Sequence, residues 1–153
     1  MKSKLLNTPF EMELRTLLLL DASPLESLSN DLILSLDFVA CYGKEFELST
    51  MNLHGEGTYK YSELSTRNEL LKAALITLVK KGFVEVLIQD GFKYRITDSG
   101  SDFINSFDDA YSEIYRETVT AAFTRYGKED GYSLQREIQE KSRAEILKGV
   151  KNV

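Results

Sequence analysis

A mainly α-helical chain with a small β-hairpin is the fold class this sequence predicts, on three observations. Apolar residues recur at helical spacing in three separate stretches before Gly82. From Phe83 to Ile96 the pattern switches to strand-like alternation around the turn signal Asp90-Gly91. After that the helical spacing returns over a long stretch. The order helix, helix, helix, hairpin, long helix is that of a winged-helix domain, here with a long C-terminal helix and a helical tail.

Each element has its own justification. Thr8-Pro9-Phe10-Glu11 opens the first helix: Thr8 serves as N-cap, Pro9 fits the first turn, and Glu11 completes a capping box. Phe10, Leu14, Leu17 and Leu18 then share one face. Ser23-Pro24-Leu25-Glu26 repeats the start signal for a second helix, with Leu32, Ile33, Leu36, Val39 and Ala40 as its stripe, ending near Gly43. The third helix is expected from Ser62 or Thr66 to Lys81, with Leu71, Ala74, Leu75, Leu78 and Val79 facing the core. Gly82 stands where a helix ends in a left-handed residue. Past the hairpin, Thr97 can cap a helix with Asp98 in its first turn. The spacing of Phe103, Ile104, Phe107, Tyr111, Ile114, Tyr115, Val119 and Phe123 carries that helix from about Asp98 to Tyr126.

Two glycines and three charges at Gly127 to Gly131 break the pattern, so residues 1–126 are expected as the winged-helix domain and 127–153 as a helical tail. The tail's apolar residues, Leu134, Ile138, Ile146 and Leu147, are sparse, and a sparse stripe is expected to dock loosely.

One segment does not suit a DNA reader. A helix-turn-helix joins its helices by a few residues, whereas Gly43 to Tyr61 puts nineteen between the second and third helices. Such a length usually marks a functional loop; alternatively, Glu45 to Thr50 forms a small edge strand. The segment carries more apolar surface than an idle loop needs. Met51, Leu53, Tyr59 and Tyr61 are therefore candidate partner-binding residues, unless they fold back onto the domain's own core.

Charge bears on function in the same direction. The formal net charge is −5, the opposite of what a chain that grips nucleic acid by itself carries. The third helix mixes Glu63 and Glu69 with Arg67, Asn68 and Lys72, the only side chains there suited to base or phosphate contact. From Asp98 to Glu117 six acids stand against Arg116 alone, a surface that repels a duplex. In the tail, Lys141, Arg143 and Lys148 are the candidate DNA contacts. His54 is the sole histidine and Cys41 the sole cysteine, with spacing that matches no zinc motif. No phosphate loop, nucleophile elbow or dinucleotide turn occurs. No catalytic residue, cofactor or metal is expected. A soluble cytoplasmic protein is the expectation, since "LRTLLLLDA" is too short to span a bilayer.

Three runs, "NTPFEMELRTLLLLDA", "LLKAALITLVKKGFVEV" and "FKYRITDSGSDFI", resemble the small middle component of bacterial ABC-three-component systems. More narrowly, they are similar to the small (LmuC-type) subunit of Lamassu antiphage and antiplasmid defence. The resemblance covers about Asn7 to Phe123, and the run N-T-P-x-E-x-x-L-R gives it specificity beyond the hairpin. It implies a non-catalytic accessory subunit that joins an SMC-like ABC ATPase and an effector nuclease, and that meets DNA mainly through the complex. It brings no catalytic residue. The reading from another class is a winged-helix transcription repressor or antitoxin, dimerising through the helix at 98–126.

Overall fold

The computed structural model describes residues 8–54, 60–126 and 132–151. Helix α1 (Pro9–Ala22) starts at the cap expected of it, with Thr8 Oγ1 accepting from the Glu11 amide at 3.2 Å. Its interior is not amphipathic. Every residue from Arg15 to Leu20 is buried, because helices and sheet surround it, while Phe10, expected in the buried stripe, is left 56% exposed.

The second start signal is a turn and not a helix. Ser23 Oγ accepts from the Leu25 amide at 3.0 Å, and the chain runs on to a short strand, β1 (Leu28–Ser29). Only then does α2 (Asn30–Cys41) begin, capped by Ser29 Oγ on the Leu32 amide. A hydroxyl can satisfy a turn as well as a helix end, and here strand pairing decided between them. Glu45 to Thr50 is accordingly not the third strand. Gly43–Phe46 winds into a 3-10 turn instead.

A second 3-10 turn (Lys60–Glu63) leads into α3 (Leu64–Lys80), so Thr66 lies inside the helix and caps nothing. Gly82, at φ 78°, ends it as expected. The hairpin of β2 (Val84–Ile88) and β3 (Phe92–Ile96) pairs Val84 with Ile96 and Ile88 with Phe92, leaving a loop one residue longer than Asp90-Gly91. Asp90 and Gly91 both take positive φ there. β1 adds to the far side of β3, giving an antiparallel sheet in the order β1-β3-β2.

Thr97 joins the hairpin to α4 (Asp98–Ile104): its hydroxyl donates to the Gly82 carbonyl at 2.7 Å and accepts from the Gly100 amide at 3.1 Å. The single long helix expected from Asp98 to Tyr126 is two, α4 and α5 (Ala110–Tyr126). Asp109 makes the break, its carboxylate accepting from the Ser112 amide (3.2 Å) and hydroxyl (2.8 Å). Phe103 stacks on Phe83 at 4.9 Å and Phe107 meets Phe103 edge-on at 5.3 Å, so the aromatic stripe packs the corner. Arg116 pins it, pairing with Asp21 and donating to the Ile104 carbonyl.

The tail forms α6 (Tyr132–Lys151), and its first half docks more closely than a sparse stripe suggests. Leu134 is fully buried, Ile138 nearly so, and the Tyr126 hydroxyl donates to Glu137 at 2.9 Å. Both aliphatic residues belong to the same core cluster as α1, α2, α3 and α5. No helix among the described residues is long and apolar enough to cross a membrane.

Gly100 sets the closeness of α4 to the sheet. A Cβ there would lie 2.3 Å from the Phe83 carbonyl oxygen, and backbone cannot yield as a side chain does. Gly100→Ala is expected to cost about 1–3 kcal/mol in urea unfolding. Gly149→Ala, on exposed α6 with nothing within 4 Å, is expected to gain up to about 1 kcal/mol.

Candidate functional site

Charged side chains in an apolar run are costly to bury alone, so their partners show what the fold requires. Arg15 and Arg67 are the largest fully buried side chains among the described residues, and both meet Asp37. Arg15 Nε donates to Asp37 Oδ1 at 2.8 Å and Nη2 to Oδ2 at 3.3 Å; Arg67 Nη1 reaches Oδ2 at 3.1 Å. The Tyr115 hydroxyl donates to Oδ1 at 2.7 Å. One carboxylate thus fastens α1, α2, α3 and α5 together.

Cys41 and His54 complete the cluster. The Cys41 thiol lies 3.6 Å from Arg67 Nη1, and burial, then Asp37, push its pKa up, away from a reactive thiolate. Arg67 Nη2 lies 3.1 Å from His54 Nδ1; a guanidinium only donates, so Nδ1 accepts and Nε2 carries the proton toward the Tyr111 hydroxyl at 3.0 Å. The Arg67 guanidinium also sits over the rings of Tyr42 (5.5 Å) and Phe38 (5.9 Å). Among the described residues, Arg67 Nε and Asn52 Nδ2 are buried side-chain atoms without a partner.

The electrostatics follow the geometry. Burial by itself would raise the Asp37 carboxyl, but Arg15, then Arg67, hold it down at about 2. Burial and the two arginines push His54 down to about 3. Its folded pKa lies below its ordinary 6.5, so only the unfolded chain takes up that proton in between. Stability is therefore expected to fall as pH drops from about 6.5 toward 3. Urea unfolding between pH 7.5 and 4.5 checks this, and His54→Gln is expected to flatten the upper part of the slope.

The sequence pointed to other residues. Arg67, offered as a DNA contact, is 1% exposed and belongs to the cluster, which corrects that expectation. Asn68 accepts from Asn30 at 2.9 Å, and exposed Lys72 pairs with Glu69 at 3.8 Å. Of the candidate partner-binding residues, Met51 is 49% exposed, whereas Leu53 and Tyr61 pack against the core. The Tyr61 ring lies 5.3 Å from Phe38, and burial, then Glu45, push its hydroxyl up to about 12. Tyr59 lies outside the described residues. Of the tail bases, Lys141 sits over the Phe46 ring at 5.3 Å, while Arg143 and Lys148 are exposed.

Arg15 and Asp37 were not expected as site residues from the sequence, and Tyr115 was placed only in an apolar stripe. A signal for the first two existed: each is the lone charge inside an otherwise apolar run. Their pairing spans twenty-two residues, which no local spacing rule reaches.

The exposed surface is of a different character. Val86, Ile88 and Phe92 on the hairpin and Ile76 on α3 are 39%, 80%, 63% and 58% exposed. A groove of about 590 Å³ runs between α3 and the hairpin, with Asn68, Lys72 and Ile76 on one wall and Phe92 and Tyr94 on the other. Ile146, Leu147 and Val150 form a second apolar exposure on α6. Among the described residues no three of His, Cys, Asp and Glu are grouped to hold a metal ion.

Residues 5–147 match a family model described as ABC-three component (ABC-3C) system Middle Component 2. No curated protein and no solved structure matches the chain.

Proposed function

The chain belongs to the middle component 2 family of ABC-three-component systems, and from that premise we propose that it is a non-catalytic adaptor in a Lamassu-type antiphage or antiplasmid complex. In this reading it bridges an SMC-like ABC ATPase and an effector nuclease in the cytoplasm and meets DNA through the complex. We read helices α1 to α3 with the β1-β3-β2 sheet as a winged helix used for protein contact.

One observation carries the reading. The side chains most suited to chemistry or to DNA, Arg15, Asp37, Cys41 and Arg67, are spent inside the core holding helices to one another, with half-buried His54 bonded to Arg67. What the α3 and hairpin surface exposes is apolar, with charges of both signs around it, the character of a protein interface. The same side chains disfavour the repressor alternative, because Arg67 cannot reach a duplex without giving up its contacts with Asp37, Cys41 and His54.

Two measurements test this. Expressed with the other two components of its system, the chain is expected to co-purify with them in a fixed ratio. Alone, it is expected to show no sub-micromolar, sequence-dependent duplex binding at physiological salt. Charge reversal at Lys141, Arg143 and Lys148 should remove any weak, salt-sensitive association that remains. Tight sequence-dependent binding by the isolated chain would overturn the adaptor and favour the repressor.

A further inference from the structure

The hairpin carries an apolar ladder that runs out of the core into solvent. Register places Val84 opposite Ile96, Val86 opposite Tyr94 and Ile88 opposite Phe92, and side chains alternate between faces, so all six share one face. At the inner end Val84 is 2% exposed; at the outer end Ile88 and Phe92 are 80% and 63% exposed. Across the groove, Asn68, Lys72 and Ile76 recur every fourth residue and form one stripe on α3. That stripe is about 12 Å long at the helical rise per residue, matching roughly two turns of a second helix.

We propose that this groove receives an amphipathic helix of a protein partner, with an apolar stripe flanked by lysine or arginine. The inference rests on the adaptor reading in taking the occupant to be another component of the same system. Two observations select the occupant. β3, which supplies Phe92 and Tyr94, is the central strand, paired with β2 along its length and with β1 at Lys93 and Tyr94, which leaves little free backbone edge there for a peptide adding by strand pairing. The rim carries Asp31 and Asp90, and its Lys72 is already paired with Glu69, so the complementary flank is basic. The same acids oppose a phosphate backbone.

The test uses the full chain expressed with both other components. A photo-crosslinking phenylalanine analogue replaces Phe92, and the adduct is mapped by mass spectrometry. The expected adduct lies on a helical partner segment with basic residues beside its apolar positions. Ile88→Ser with Phe92→Ser is expected to weaken assembly about tenfold or more while leaving the melting temperature unchanged, since both side chains are exposed. Asp31→Lys is expected to weaken it further and to reverse the salt dependence. Assembly unaffected by these variants would overturn the proposal and leave the adaptor reading standing. An adduct on a second copy of this chain, on a non-helical segment or on DNA would also overturn it. If the unaltered chain joins neither component, the adaptor reading itself fails.

Discussion

Asp37→Ala is expected to remove about 3–5 kcal/mol of folding stability, the cost of stranding buried charge. Two guanidiniums, each no more than 1% exposed, would lose their shared carboxylate, and Tyr115 its acceptor. For a domain of this size that is a large part of the total. Urea unfolding followed by circular dichroism reads the loss directly. Asp37→Asn keeps the shape and removes the charge, so a comparable loss there identifies charge and not packing as the cause.

The pH dependence has a definite sign. The folded pKa of Asp37 is depressed to about 2 from an ordinary 3.8. Its contribution is therefore complete above about pH 4 and lost as pH falls through about 2. That window lies below most of the His54 slope, so stability is expected to be lost to acid over two successive pH ranges. A combined Arg15→Met, Asp37→Leu, Arg67→Met and Tyr115→Phe variant is expected to recover most of the stability, because removing every buried charge together strands none. If the combined variant is as unstable as Asp37→Ala, the cluster contributes more than mutual neutralisation.

Leu134→Ala is expected to cost about 2–5 kcal/mol, the range for emptying a closed aliphatic site. The residue is fully buried although it belongs to the tail, and it shares one core with α1, α2 and α3. The whole protein is thus expected to unfold in a single transition at a lower urea midpoint. Leu147→Ala, at a site 54% exposed on the same helix, is expected to change stability by less than about 0.5 kcal/mol. A low-urea step confined to α6 would show instead that the tail folds apart from the rest.

Legibility followed the range of the interaction responsible. Thr8 and Thr97 were readable as caps because a hydroxyl and an amide three residues apart need nothing else. The hairpin was readable from alternation and Asp90-Gly91. Ser23-Pro24-Leu25-Glu26 misled because the same hydroxyl chemistry serves a turn, and only β3, more than sixty residues on, claimed Leu28 and Ser29 as a strand. The stripe through Phe103 and Phe107 misled because helical spacing does not say whether a helix continues or packs a corner.

The sequence by itself determined the helix-rich class, the hairpin, most helix ends and the balance of charge, since each depends on neighbours along the chain. Tertiary structure alone decided that Arg15, Asp37 and Arg67 share one buried site and that Arg67 is withdrawn from the surface. It also decided that exposed Ile76 of α3 and Phe92 of the hairpin line one groove. These depend on which helices meet, and packing brings together residues whose separation in sequence carries no signal.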